Sequence, residues 1–345
     1  SKPCHAPNSA ALIFKKMKNL CYDLKHWSRG ISKLKTMIQN SNEALAQLDN
    51  LEDKRALFIQ EKNFRRILKM HLNMLLKYQN DYWRKRCTVR YFRFADENTK
   101  LFQSLATERF RHNSIANLRD GDVVVSDHIG KEGVLYKTYK DRLGSSKPTT
   151  MCFNLPRIIR RIPGLEVLSL PFSKEEIDAV IKEMSTDRDP GPDGFNGAFL
   201  KSCWHIIKEG FYALCDQFFE GGLNLESIND GFITLIPKIV APQGVNDFRP
   251  ITLLNCCLKV ITKLLANRLQ KIILKIIHRN QYGFLKKRSI QDCLAWSYEY
   301  IHQCLKSREE LLVLKLDFEK EFDTIEHQEI VDILRAKGFV NKWIS

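Results

Sequence analysis

The stretch LLVLKLDFEKEFDTIEH, Leu311 to His327, decides how the chain is read. Five of its first six residues are aliphatic. Five carboxylates then fall within ten positions: Asp317, Glu319, Glu321, Asp323 and Glu326. The apolar run predicts a central strand over Val313–Leu316, buried on both faces. Asp317 follows at the strand's C-terminal end, where a side chain can face a site while its backbone is held in a sheet. A carboxylate there suits Mg2+, which takes one or two protein carboxylates and fills its other positions with water and substrate phosphates. A two-metal site needs at least one more carboxylate from elsewhere in the fold. By itself, the stretch reads more simply as a buried strand running into solvated acidic residues.

Working outward, the 345 residues have room for about two domains, and 44% hydrophobic with 28% charged residues is an ordinary globular composition. No apolar run approaches the ~18 residues that span a membrane, so no membrane partner is expected. The first residues lack a signal-peptide layout and an initiator Met, which points to a processed chain or a fragment. The net charge of +15 predicts an anionic polymer as partner, with an anionic membrane surface as the weaker option. From Lys54 to Arg111 there are fifteen Lys/Arg against five Asp/Glu, so two thirds of the excess sits in a sixth of the chain. None of the ten cysteines forms a C-x-x-C pair. That predicts reduced, mostly buried thiols in an intracellular protein, with no zinc-site spacing.

Apolar residues at three-, four- and seven-residue steps predict helix over Ile31–Arg86, with a break near Asp49–Asn50. Its heptads are too irregular for a sustained coiled coil. Tyr82 to Ile115 mixes aromatics with Arg and Lys, the composition of a surface that neutralises phosphates and stacks on bases. Arg84, Lys85, Arg86, Arg90 and Arg93 are its candidate phosphate contacts. Asp120–Gly121 marks a turn before a short Val-rich strand, and residues 144–150 are the best linker. Ser173-x-x-Glu176 is a capping box opening a helix to about Met184. Further helices are expected over about 200–219, on a stripe of Leu254, Leu258, Ile261, Leu265 and Leu269, over about 290–305, and from His327 to Ala336, ended by Gly338. Phe232–Val240 reads as an edge strand or hairpin arm because it contains Pro237. Helices and short strands alternate without βαβ spacing, so the fold class is α+β. Residues 1–150 would form a mostly helical basic connector, and residues 165–345 the domain that carries the chemistry.

The order PGPDGF, then LIPK, DFRPITLLN and KLLANRL, then QYGF and RS, then LKLDFEKEFD resembles the reverse transcriptase domain of LINE-type (non-LTR) retrotransposons, in particular plant ones. Upstream, YWRKR and FADENTKLFQSLATERFRHNSIANLRDGD look like the connector between endonuclease and polymerase in those polyproteins. The resemblance implies the fingers and partial palm of a right-hand polymerase behind a helical arm. It implies an RNA template, a DNA primer, deoxynucleotide triphosphates, Mg2+ and a nuclear location. Asp317 matches the first catalytic aspartate, a ligand of both metals. Phe322 matches the aromatic that excludes a ribose 2′-hydroxyl. Arg249 and Lys238 match residues that hold the triphosphate, a planar clamp and a point charge. Gly191, Pro192, Asp193 and Gly194 match a loop lying along the template. Gln281, Gly283 and Arg288 match a turn that guides it.

Several positions depart from that pattern. Glu321 stands where the family keeps an alanine beside the gate residue, and Lys287 replaces a glycine before Arg288. Ala95–Asp96 stands for Gly-Asp, and Gln103 for a histidine. The family's aromatic-x-Asp-Asp motif does not occur in the 28 residues after Asp317. The expectation is a domain truncated before its second catalytic motif, inactive by itself. The alternative is a non-catalytic nucleic-acid-binding relic of the same element. A group II intron maturase fits the connector less well.

Overall fold

The computed structural model describes residues 9–31, 33–87, 99–143, 153–317 and 325–344. The helices are α1 (Ser9–Ile31), α2 (Leu34–Glu52), α3 (Ile59–Cys87), α4 (Thr99–Asn113), α5 (His128–Leu143), the short α6 (Leu155–Ile158), α7 (Lys174–Glu183), α8 (Gly197–Glu220), α9 (Cys256–Ile276), α10 (Ile290–Ser307), α11 (His327–Lys337) and α12 (Asn341–Ile344). Two antiparallel two-stranded sheets accompany them: β1 (Leu118–Asp120) with β2 (Val123–Val125), and β3 (Gly231–Pro237) with β4 (Phe248–Leu254). The described residues are therefore a mixed, mainly helical assembly with small sheets, as an α+β reading requires.

The main core forms where α7, α8 and α9 turn their apolar faces together. Val180, Leu200, Phe211, Leu214, Val260 and Leu264 are fully buried there. Each such side chain contributes about 1.5–3 kcal/mol by leaving water. α1 also enters this core, through Ile13 and Met17. It lies close to α8 at Gly210, where an added Cβ would stand 2.8 Å from Ile13 Cδ1. The division of the sequence between residues 150 and 165 is thus crossed by packing, because the first helix completes the core of the later segment.

A second crossing occurs at the β3–β4 hairpin. Leu118 and Tyr139, from β1 and α5, share a small core with Val245 and Phe248. The Arg119 N–H donates to Gln243 O at 2.8 Å, and Arg142 Nη2 to Asn246 Oδ1 at 2.7 Å. A third cluster gathers Leu165, Leu168, Ile276 and Phe339, and so ties the last helices to the end of α9.

Most local expectations hold. Ser173 Oγ accepts from the Glu176 N–H at 3.2 Å and opens α7. Gly338 ends α11 at φ 94°. α2 and α3 form the anticipated helical pair, but α2 continues past Asp49–Asn50 to Glu52 and the break falls at residues 53–58. Arg55 there holds Glu61 through both oxygens, at 2.8 and 2.7 Å. The Glu61 carboxyl falls to about 2, first through the Arg55 hydrogen bonds and then through the Phe58 N–H. On α9 the buried stripe runs through Cys257, Val260, Ile261, Leu264 and Arg268. The anticipated Leu258 and Leu265 flank it, half-buried.

The expected strand at Val313–Leu316 is not formed, which corrects the reading of the opening stretch. Residues 311–317 have no regular structure and are exposed: Leu312 is 91% and Leu314 74% accessible. A strand exists only through hydrogen bonds to a neighbouring backbone, and among the described residues none pairs with this segment. The linker 144–150 lies outside the described residues.

Candidate functional site

The β3–β4 hairpin displays two of the anticipated contacts. Its register pairs Ile236 with Arg249 and Pro237 with Phe248. Side chains alternate across a strand, so Phe248 and Leu235 enter the small core while Ile236 and Arg249 point away from it. Arg249 is exposed on that outer face. Lys238 follows directly after β3, and its N–H donates to Asp247 O at 2.7 Å. Its Nζ donates to Asn246 O at 3.0 Å, closing the loop between the strands. Both cations therefore stand at the loop end of one hairpin. Asp247 beside them accepts from the Gly244 and Gln243 N–H groups at 2.8 and 2.9 Å. Those bonds, Gly244's first, hold its carboxyl below the usual range.

The PGPDG loop is built into the start of α9. A Cβ on Gly191 would meet Leu254 O at 2.2 Å, so only glycine allows this approach to β4. Asp193 Oδ2 accepts from the Cys256 N–H, the first of α9, at 2.6 Å. Its own N–H donates to Asn255 Oδ1 at 3.1 Å. Asp193 therefore caps α9 from 63 residues away, a partnership the loop sequence did not disclose. Pro192 is half-buried, and Gly194 is exposed at φ +78°.

The QYGF turn is closed by Arg288, whose Nη1 donates to His278 O and Gln281 O at 2.6 and 2.7 Å. Gln281 is exposed and Gly283 half-buried. Phe284 follows at φ 62° and is 95% exposed. A bulky residue at positive φ costs on the order of 1–3 kcal/mol, and such outliers concentrate at functional sites.

Asp317 is described and exposed, whereas Phe322, Glu319, Glu321 and Asp323 lie outside the described residues. Among the described residues, no three His, Cys, Asp or Glu side chains come together to hold a metal ion. By themselves these described residues do not supply the ligands of a two-Mg2+ site. Of the basic-arm residues, Arg84, Lys85 and Arg86 are exposed on the last turn of α3. Arg84 Nη2 reaches Asp81 at 2.8 Å, and the Arg86 guanidinium lies 3.5 Å over the Tyr82 ring. Arg90 and Arg93 lie outside the described residues.

One residue carries more structure than its motif foretold. Arg268, in KLLANRL, is buried and pairs with Glu176 at 2.9 and 2.8 Å. It also donates to the carbonyls of Leu168, Leu170 and Pro171, and lies 4.2 Å over Phe172. Burial pushes the Glu176 carboxyl up, but the Arg268 hydrogen bonds and charge outweigh it, and the net direction is down. The signal in the sequence was an Arg four residues after Leu264, inside an apolar stripe. Among the thiols, burial pushes Cys215 up to about 12. Cys256 is raised by its hydrogen bond with Cys257 and by burial. Both are therefore held as thiols. Among the described residues, no helix is long and apolar enough to cross a membrane.

Hairpin, turn and Asp317 all fall within, or at the edge of, one recognisable family segment. Residues 236–345 match the reverse transcriptase (RNA-dependent DNA polymerase) family. Beyond that segment, the chain is similar to proteins of retrotransposable elements. It is 26% identical over 180 residues to the transposon TX1 uncharacterized 149 kDa protein of Xenopus laevis, covering 52% of this chain and 14% of that protein. It is 24% identical over 243 residues to a putative 115 kDa protein in the type-1 retrotransposable element R1DM of Drosophila melanogaster, covering 67% and 21%. It is 28% identical over 194 residues to the retrovirus-related Pol polyprotein from the type-2 element R2DM of Drosophila melanogaster, covering 51% and 17%. The matched stretch spans about a fifth or less of these relatives.

Proposed function

We propose that the chain supplies the fingers and the first part of the palm of an RNA-directed DNA polymerase from a plant LINE-type element, joined to its connector. The observation that carries this is the β3–β4 hairpin. It lies where the family match begins and presents Lys238 and Arg249 at one end. In the intact protein, Arg249 and Lys238 hold the triphosphate and Asp317 is one ligand of two Mg2+ ions, with Phe322 against the incoming sugar. Gly191 to Gly194, Gln281, Gly283 and Arg288 line the template path, which the outward Phe284 supports. Arg84, Lys85, Arg86, Arg90 and Arg93 neutralise phosphates of the RNA template. The working location is the nucleus.

This chain by itself does not polymerise. Its sequence has no Asp–Asp pair, and the described carboxylates assemble no metal site. Primer extension on an RNA template with Mg2+ or Mn2+ is the test. The expected result is no template-dependent product. Extension that disappears in Asp317→Ala would overturn the statement and show that Asp317 works with partners already in the chain. The second reading, a non-catalytic nucleic-acid-binding relic, is favoured by the basic excess between Lys54 and Arg111. It predicts RNA affinity with a salt slope that drops when Arg84, Lys85 and Arg86 are neutralised.

A further inference from the structure

Arg109 and Arg111 lie in the last turn of α4, and Ser114 opens the connection to β1. The arginines stand five and three residues before the serine, and no other serine or threonine of the chain has such a pair before it. All three residues are exposed. Ser114 Oγ donates to Phe110 O at 2.7 Å. An exposed hydrogen bond of this kind is worth little and opens readily. Helix ends fray at small cost, so the last turn of α4 can extend. A hydroxyl behind two guanidinium groups is what an acidic substrate groove selects, because each planar fork pairs with a carboxylate.

The surroundings suit a phosphate on that hydroxyl. Ser114 lines a cleft of about 1330 Å³ between α4 and the tip of the β3–β4 loop. Lys100, Arg111, His112 and Arg119 line it too, and Glu108 is the one carboxylate among the described lining residues. Just downstream, Lys131 Nζ donates to Ile115 O and Ala116 O at 2.9 and 3.1 Å, which holds the turn beside the cleft. A phosphate brings about −1.5 to −2 charges and three acceptor oxygens. At the C-terminal end of a helix it is opposed by the helix dipole, and the guanidinium groups of the cleft offset that.

We propose that Ser114 is the phosphoacceptor for a protein kinase that selects basic substrates, and that Arg111 and Arg119 hold the phosphate in the cleft. In the transfer, Ser114 Oγ bonds to the γ-phosphorus of a nucleoside triphosphate as the bridge to the β-phosphate breaks. The nucleoside diphosphate leaves, and the hydroxyl proton passes to the kinase's base. The added charge then cancels most of the cationic excess of the cleft. The polymerase reading gives Arg109, Ser114 and Arg119 no role, so failure here leaves that reading standing.

The test incubates the full chain with Mg-ATP and a purified serine kinase that selects arginine at these two positions. Intact mass and peptide mapping read the product. A phosphate on Ser114 is expected; Ser114→Ala should lose it, and Ser104→Ala, on α4, should keep it. Arg109→Gln with Arg111→Gln should lower kcat/KM about tenfold or more, the size of a lost charge-assisted hydrogen bond. By phosphorus NMR, the second ionisation of the phosphate should fall below its ordinary value of about 6 in the parent and return toward it in Arg119→Gln. An unlabelled parent that circular dichroism shows to be folded overturns the proposal. So does labelling that survives Ser114→Ala at the parental level, or that is indifferent to the arginine pair. An ionisation unmoved by Arg119→Gln overturns the placing of the phosphate in the cleft.

Discussion

β4 and the segment Leu311–Asp317 are both seven residues long and rich in aliphatics, and each holds a position expected to contact nucleotide or metal. β4 pairs residue by residue with β3, from Phe248 opposite Pro237 to Leu254 opposite Gly231. Leu311–Asp317 pairs with nothing among the described residues, and Leu312, Val313, Leu314 and Leu316 are exposed. An apolar pattern states that a segment is ready to be buried; only a neighbouring backbone makes it a strand. Arg249 consequently stands on a fixed frame, and Asp317 does not.

The sharpest way to break this comparison is to truncate one side chain from each segment. Phe248→Ala empties a site 1% exposed and should cost about 3–5 kcal/mol in urea unfolding of the full chain. Leu314→Ala, at 74% exposed, should stay within about 0.5 kcal/mol. Similar losses at both positions would show that residues 311–317 are packed in solution.

The next effect concerns the frame itself. Arg268→Ala leaves the Glu176 carboxylate and three carbonyls without their partner, and should cost about 3 kcal/mol. The Glu176 pKa is depressed in the folded state. Its contribution is therefore complete above the unfolded carboxylate value of about 4.3 and is lost as pH falls through the folded value. The parent should lose stability across that acid window more steeply than Arg268→Met, measured by urea midpoints at successive pH. Equal slopes would assign the acid sensitivity elsewhere.

The smallest effect tests the loop. Asp193→Ala removes the cap on the Cys256 N–H and should cost about 1 kcal/mol. Asp193→Asn should restore most of it. If neither changes stability, the carboxylate serves only what lies outside it.

Local signals were legible where one turn or one ladder rung settles the outcome. The Ser173 cap, the Gly338 stop, the β2 valines and the α8 and α10 helices needed no distant partner. The break between α2 and α3 was misplaced because Arg55 and Glu61 hold the turn by an ion pair that helical periodicity does not report. The α9 stripe was right at Ile261, but the most buried line runs one position before Leu258, Leu265 and Leu269, because Arg268, a charged residue, belongs to the buried side through Glu176. Of the candidate site, motif order picked out Lys238 and Arg249, which the fold places at the same end of one hairpin. It could not tell that Asp193 and Arg288 spend hydrogen bonds on the frame, since Cys256 and His278 are reached only after folding.

By itself, the sequence determined the helix and hairpin signals, the basic excess in the arm and the order of the motifs that resemble a reverse transcriptase. These depend on composition and on spacing along the chain. Tertiary structure alone decided that α1 completes the core of the later segment, that β1 and α5 pack on the hairpin, and that Asp317 stands on a segment unpaired among the described residues. Those outcomes depend on which surfaces meet across tens or hundreds of residues, and burial and backbone pairing are properties of the meeting, not of either partner.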